Sequence, residues 1–172
     1  MNAQALIERM AITPAVVSSL TSSLRDDDLR FKPESGAWSI LEVLCHLGDE
    51  EVDDFRARLR STIESPDRAW QSIDPEGWAK ARNYNAQNPG VALERFMRER
   101  SASLAWLRGL GSVDWSTAHV HPKFGAIRAG DLLAAWAAHD TLHIRQIAKR
   151  LYDLSGRDSR GFTTIYAGQW GA

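Results

Sequence analysis

Cysteine is almost absent from this 172-residue chain: Cys45 is the single one, so an internal disulfide is impossible. Long apolar runs are also missing, because no segment approaches the roughly 20 apolar residues that cross a bilayer. The first residues lack the basic stretch and apolar run of a secretory signal. We therefore expect a cytoplasmic protein with no membrane partner.

An excess of charge of either sign is missing as well. The 21 basic and 22 acidic residues leave a formal net charge of −1, so no overall field attracts nucleic acid. The expected partner is a small-molecule substrate, and a homodimer is left open.

Common nucleophile and phosphate-binding motifs are not found in the sequence. It contains no GxSxG elbow, no P-loop and no GxGxxG element. Cys45 adjoins His46, but neighbours on a helix point about 100° apart and do not form a hydrogen-bonded pair. A catalytic role would therefore have to rest on other residues.

The sequence does show helical periodicity, whereas alternating strands of useful length are absent from it. It predicts an all-α four-helix bundle with a long crossover loop and short extra helices, as a single domain over residues 1–172. Residues 65–88 are the expected loop, residues 112–128 are expected to be irregular, and the aromatic tail is expected to dock on the bundle. The predicted helical segments are 3–24, 39–63, 89–110 and 129–154.

Local signals mark several helix boundaries. Thr13-Pro14 resembles an N-cap followed by proline at the first helical position, which predicts a break in the first segment, with one interrupted helix as the alternative. Ser39 and Glu42 form a capping box that opens the second segment. Gly156 is the expected C-cap of the last helix.

His139 and His143 are the clearest candidates for chemistry. Residues four apart on a helix lie one turn apart, so both imidazoles can reach one metal ion, and the helix sets their spacing before the ion arrives. The glutamate of the HExxH zinc motif is absent. Without further context, two hydrogen-bonded core histidines are the simpler interpretation.

A third ligand has two possible sources. On a helical wheel His46 shares a face with Glu50 and Asp53, away from the apolar stripe, which by itself indicates a solvent-facing histidine. His119 and His121 form an HxH pattern in the AHVHP loop, where both rings can point to one side, although such loop histidines are usually surface residues.

The carboxylates near His46 have a simple interpretation as a solvated face. Glu50 is the candidate for an acid–base role, or for orienting His46 from behind. The acidic residues in question are Asp49, Glu50, Glu51, Asp53 and Asp54.

Four stretches resemble the DinB-like superfamily, which includes the YfiT-like metal-dependent hydrolases. WSILEVLCHLGDEE resembles the family's second helix with its first ligand histidine, and HPKFGAIRAGDLLAAWAAHDTLHIRQI resembles its fourth helix with two more. RNYNAQNPGVALERFMRERSASL and YAGQW resemble its crossover with the third helix and its closing turn. The resemblance covers most of the chain and implies that His46, His139 and His143 are metal ligands.

Two functional hypotheses follow. In the first, the chain is an enzyme that uses Zn²⁺ or Ni²⁺, and a low-molecular-weight thiol attacks a small electrophile, with hydrolysis by a metal-activated water as the sibling reaction. In the second, it is a non-catalytic, stress-associated binding or interaction protein, with a structural metal or none. Fold-level resemblance alone does not decide between them.

Overall fold

Four long helical segments pack side by side in the computed structural model, which describes residues 1–171, so that Ala172 lies outside it. This arrangement confirms the predicted all-α four-helix bundle with short extra helices. The segments are α1 (Ala3–Thr21), α3 (Ile40–Asp49) continuing through a π-helix (Glu50–Phe55) into α4 (Arg56–Glu64), α6 (Pro89–Gly109) and α7 (Ala129–Asp158). The short helices are α2 (Asp26–Leu29), α5 (Pro75–Ala81) and two 3₁₀ turns, Tyr84–Ala86 and Ile165–Ala167.

The predicted capping box opens α3. The Ser39 hydroxyl accepts a hydrogen bond from the Glu42 backbone N–H at 3.1 Å, and the Glu42 carboxylate accepts one from the Ser39 N–H at 2.8 Å. Two backbone donors that the helix leaves unpaired are satisfied in this way. The cap sets where α3 starts and hence which turn carries His46.

Helix α1 runs through Pro14 without a break, contrary to the predicted interruption at Thr13-Pro14. A proline inside a helix has no N–H for the carbonyl four residues earlier, here that of Met10. The Met10 carbonyl instead accepts a hydrogen bond from Arg100 on α6 at 3.0 Å. A tertiary partner therefore replaces the hydrogen bond that the proline removes.

The π-helix between α3 and α4 changes which residues face the interior. A π-turn closes its hydrogen bonds over five residues instead of four, so side chains after it are rotated relative to an α-helical wheel. Glu50 and Glu51 are both buried there, although they are adjacent in sequence. Turns of this kind occur frequently at functional sites.

Two further expectations about the second half of the chain are wrong. Residues 118–128 include an antiparallel hairpin of β1 (Ala118–His121) and β2 (Gly125–Arg128), four residues each and too short for a recognisable alternation. Helix α7 continues past Gly156 to Asp158. The described part of the tail, which was expected to dock, is mostly exposed. It meets α7 at Tyr152, whose ring centroid lies 5.6 Å from that of Trp170 and whose hydroxyl donates to the Gly168 carbonyl at 3.4 Å.

The apolar core consists of two clusters at different levels of the bundle. One includes Leu44, Phe96 and Ile147, and the other includes Met10 and Trp136. Along α7, the residues between Trp136 and Ile147 therefore lie between the two clusters. That stretch carries the polar residues described next.

Candidate metal centre

Helix α7 presents His139 and His143 on one side, as their spacing predicts. Their Nε2 atoms lie 2.9 Å apart and their ring centroids 4.2 Å apart. Both side chains are only partly exposed. The helix backbone alone accounts for this proximity, because residues i and i+4 are neighbours on its surface.

His46 approaches the pair from α3 on the opposite side. Its Nε2 lies 3.4 Å from that of His139, and its ring centroid lies 4.6 Å from that of His143. The side chain is 4% exposed, so the solvent-facing position indicated by the helical wheel is wrong. Its wheel position lies off the apolar stripe because it faces two imidazoles instead of apolar side chains.

The three rings fit a divalent metal ion. Metal-ligating atoms of His46, His139 and His143 all lie within 4.8 Å of one another, and the three residues form the single group of this kind among residues 1–171. With metal–nitrogen bonds of about 2.1 Å, two ligands of a tetrahedral ion are about 3.4 Å apart. The separation of His46 and His139 matches that value, and that of His139 and His143 is slightly shorter.

A hydrogen bond behind one ring, that of His143, favours a free lone pair at the centre. The Nδ1 of His143 lies 2.8 Å from Oε1 of Gln146, an acceptor that favours the tautomer with the proton on Nδ1 and the lone pair on Nε2. The Nδ1 of His46 is buried without a hydrogen-bond partner, and Oε1 of Glu50 lies 3.6 Å from it. Gln146 had not been predicted, and its position three residues after His143 is the signal that could have identified it.

Burial keeps the imidazoles neutral, which is the form that binds metal. Burial and the neighbouring His143 lower the pKa of His46 to about 3. Burial and the two other histidines lower the pKa of His139 to about 2, and burial also lowers that of His143. At neutral pH the three nitrogens are therefore available as ligands.

The carboxylates around His46 do not form the expected solvated face. Four are buried, three of them beside a cation or hydroxyl and Glu50 beside another carboxyl, whereas Asp53 is half-buried beside Arg82. The wheel failed because the π-helix adds a residue to one turn and brings successive positions inside. The buried pairs are Asp49 with Arg95 and Tyr84, Glu50 with Asp54, Asp54 with Arg58, and Glu51 with Arg100.

Glu50 lies directly behind His46, as expected of a residue that orients it. Burial, reinforced by the charge of Asp54, raises the pKa of Glu50 well above its usual range. Its Oε1 has no hydrogen-bond partner among the described residues. The carboxyl is thus held close to a ligand ring and away from water.

A cleft of about 730 Å³ opens onto His46 and His143. Trp38 forms part of its wall and meets the His46 ring edge-on, with centroids 4.9 Å apart. The loop before α3, helix α5 and helix α7 form the sides, and their polar lining groups are Lys32, Glu42, Glu76, Lys80 and Gln146. A small polar molecule could reach the histidines from this side.

The alternative ligands His119 and His121 lie on the hairpin and do not join the cluster. His119 Nδ1 lies 2.8 Å from the Pro66 carbonyl oxygen, and its ring stacks on Trp70 with centroids 4.3 Å apart. These contacts attach the hairpin to the loop that follows α4. The competing assignment of the third ligand is therefore wrong.

Cys45 is buried on α3. Its sulfur is 3.8 Å from the Tyr84 carbonyl oxygen. Burial, with the nearby Asp49 charge, raises the pKa of the thiol to about 12. A thiol held in its neutral form is a weak nucleophile, which agrees with the expectation that Cys45 is not catalytic.

Comparison with known proteins agrees with the geometry. A family model for the DinB superfamily matches residues 9–147. A relative from Oceanobacillus iheyensis, provisionally named a metal-dependent hydrolase, is 27% identical over 136 residues, covering 78% of this chain and 77% of its own. YfiT from Bacillus subtilis, which has the same provisional name, is 23% identical over 150 residues, covering 84% and 83%.

The solved structure of Bacillus subtilis YfiT has the same fold. It superposes with a TM-score of 0.79 over 89% of this chain and 87% of its own, at 19% sequence identity. That protein is described as a probable metal-dependent hydrolase with an unusual four-helix-bundle topology. Among residues 1–171, no helix is both long and apolar enough to cross a membrane.

Proposed function

Because this chain belongs to the DinB superfamily, we propose that it is a divalent-metal-dependent enzyme acting on small electrophiles. The preferred reaction is transfer of a low-molecular-weight thiol to the electrophile, and hydrolysis is the related alternative. One observation carries the proposal: three neutral imidazoles converge next to an open cleft. Cys45, the single thiol of the chain, is buried with a raised pKa and does not compete for the role.

His46, His139 and His143 would hold the ion, with Zn²⁺ and Ni²⁺ as the preferred candidates because imidazole suits both. A bound divalent ion would lower the pKa of a thiol or water and polarise the electrophile. Three protein ligands leave a coordination position free for a substrate, as in catalytic rather than structural sites. Glu50 would keep the His46 ring in the orientation that the ion requires.

The cleft would bind and orient the organic substrates. The Trp38 ring offers an apolar surface beside the histidines, and the exposed Lys80 amine on α5 offers a charge for an anionic group. Lys32 is less available, because it forms an ion pair with Glu42 at 2.8 Å. This distribution favours a substrate that is partly apolar and carries a carboxylate or similar group.

Metal analysis of protein purified without a histidine tag is the direct test. We expect bound metal and, after stripping, a rise in melting temperature of about 5–10 °C when Zn²⁺ or Ni²⁺ is added at about 100 times its Kd. His143→Ala should abolish both effects. His121→Ala removes a histidine outside the cluster and should retain them.

Failure of the untagged protein to bind or respond to either metal would overturn the proposal in favour of a non-catalytic binding bundle. If metal binds, the loaded protein is assayed with several thiols and electrophiles, and then with ester and amide substrates. Turnover that disappears in His143→Ala supports an enzyme. Bound metal without turnover in any of these assays would instead assign the ion a structural role.

A further inference from the structure

We propose that a buried cluster of Arg100, Glu51 and Asp140 is the charged support of the metal centre. It holds the π-helix and α7 in the orientation that brings the histidines together, and its net negative charge favours a bound divalent cation. This inference rests on the metal centre of the proposed function and adds residues that do not touch the ion. The three residues are named the Arg100 cluster below.

Arg100 is bonded at every donor it has. Its side chain is 1% exposed, and its five N–H groups match five hydrogen bonds. Nε and Nη2 donate to Oε1 of Glu51 at 2.8 and 2.6 Å, and Nη1 and Nη2 donate to the two oxygens of Asp140 at 2.5 and 2.7 Å. The fifth bond is the one to the Met10 carbonyl described above. Because the guanidinium is planar and all of its N–H groups are bonded, it fixes the relative positions of its partners.

The cluster joins four helical elements. The Trp136 indole of α7 donates to Oε1 of Glu51 at 2.9 Å, and the Thr13 hydroxyl of α1 donates to Asp140 at 2.7 Å. Arg100 belongs to α6 and Glu51 to the π-helix. Both residues of the expected helix start contribute to these contacts. Thr13 does so through its hydroxyl, and Pro14 does so because it leaves the Met10 carbonyl free to accept from Arg100.

Two routes connect the cluster to the histidines. Asp140 directly follows His139 on α7, so the bidentate bond to Arg100 limits how far this turn can rotate. Phe55, the last residue of the π-helix, stacks on Trp136 with centroids 5.6 Å apart and meets the His139 ring edge-on at 5.0 Å. One member of the cluster, Asp140, therefore lies in the turn that carries His139. The ring of His139 is reached indirectly, through Trp136 and Phe55.

The charges of the cluster do not cancel. One guanidinium faces two carboxylates, all three nearly fully buried, which leaves a net charge of −1. The second oxygen of Glu51, Oε2, is buried and has no hydrogen-bond partner among the described residues. An uncompensated buried charge is costly, and a divalent cation held nearby by neutral imidazoles would offset part of that cost.

A purely structural role predicts that removing the excess charge leaves Zn²⁺ affinity unchanged. Buried ion clusters can often be replaced without loss of stability, because desolvation cancels most of the attraction between the charges. The test must therefore separate metal affinity from the stability of the metal-free fold.

Glu51→Gln removes the excess charge with little change in shape. Because Oε1 accepts all three hydrogen bonds and Oε2 accepts none, the glutamine oxygen can retain every bond. We expect Zn²⁺ affinity, measured by competition with a chromophoric chelator, to fall about 10- to 100-fold. The melting temperature of the metal-free protein should not fall. Glu99→Gln, which removes a charge from the partly buried ion pair with Arg56 at the position directly before Arg100, is the control and should leave Zn²⁺ affinity unchanged.

Arg100→Lys tests positioning, because it keeps the charge but loses the planar fork. We expect the visible absorption bands of the Co²⁺-loaded protein to shift or weaken as the ligand geometry changes. If this variant does not fold, Glu51→Gln alone decides the proposal. Equal Zn²⁺ affinities in wild type and Glu51→Gln would overturn it while leaving the metal centre intact. A wild type that binds neither Zn²⁺ nor Co²⁺ would overturn both.

Discussion

Two pairs of histidines look alike in the sequence and differ in the fold. His139 and His143 are four residues apart on a helix, and His119 and His121 are two apart on a strand, so each pair can place its rings on one side. The structure brings only the first pair to a third imidazole, that of His46.

The difference lies in how many imidazoles meet, because one nitrogen of each hairpin ring is engaged by the backbone and no third imidazole among residues 1–171 joins the pair. Backbone groups engage the hairpin pair: His119 approaches the Pro66 carbonyl, and Nδ1 of His121 accepts from the N–H groups of Lys123 and Phe124. In the triad, by contrast, the Nε2 atoms face one another. Spacing therefore predicts candidate ligands, and the approach of a third imidazole from another helix distinguishes between the two pairs.

Replacing one histidine of each pair should give the largest difference in Zn²⁺ affinity between the two pairs. His139→Ala loses one of three ligands, and we expect its Zn²⁺ affinity to fall more than about 100-fold, beyond the usual effect of a residue behind a ligand. His121→Ala should bind as tightly as wild type. Isothermal titration of both variants measures this, and similar losses in the two would contradict the distinction.

Acid should destabilise the metal-free protein through the triad. The pKa of His46 is lowered from 6.5 to about 3, so between these values the unfolded chain binds more protons than the folded one. The stability contributed by the neutral ring is complete above pH 6.5 and is lost as the pH falls, at about 1.4 kcal/mol per pH unit.

Urea unfolding with a chelator present, at pH 6 and pH 5, measures that slope. His46→Gln places a neutral side chain there and should flatten the slope by about 1 kcal/mol per pH unit. His121→Gln, outside the buried cluster, should keep the wild-type slope. Parallel slopes in wild type and His46→Gln would show that the ring is not held neutral by burial.

A smaller loss of Zn²⁺ affinity is expected when the residue changed contacts a proposed ligand but not the ion. Gln146→Ala removes the acceptor that keeps the proton of His143 on Nδ1, so Zn²⁺ affinity should fall about 10-fold. Gln87→Ala, which loses a hydrogen bond to the Arg82 carbonyl away from the triad, is the control. An affinity unchanged in Gln146→Ala would mean that the His143 tautomer does not depend on this contact.

Much of the fold was predictable because its signals are local. The capping box of Ser39 and Glu42 and the apolar periodicity of the long helices depend on residues within one or two turns. The hairpin was missed because its strands are four residues long. The uninterrupted α1 was missed because the partner of Met10 is Arg100, 90 positions away. That residues 1–172 form one domain stays a prediction, as does the homodimer.

The site was predictable in unequal parts. Spacing identified His139 and His143 as neighbours, whereas His46 was indicated by its resemblance to a family motif and contradicted by its helical wheel. Glu51 and Asp140 gave no usable signal, because a buried carboxylate is recognisable only from the cation that pairs with it. That these residues bind a metal, and that Glu50 supports His46, stay predictions for the experiments above.

By itself, the sequence determined the class of fold, the start of the helix that carries His46 and the i, i+4 pair, since each depends on the regular geometry of one helix. Only the tertiary structure decided that His46 completes the triad, that the nearby carboxylates are buried and that Arg100 supports them. The physical reason is that burial and ion pairing depend on which helix lies opposite. A helical wheel describes one helix and assumes a constant 100° turn, and the π-helix after His46 departs from that turn.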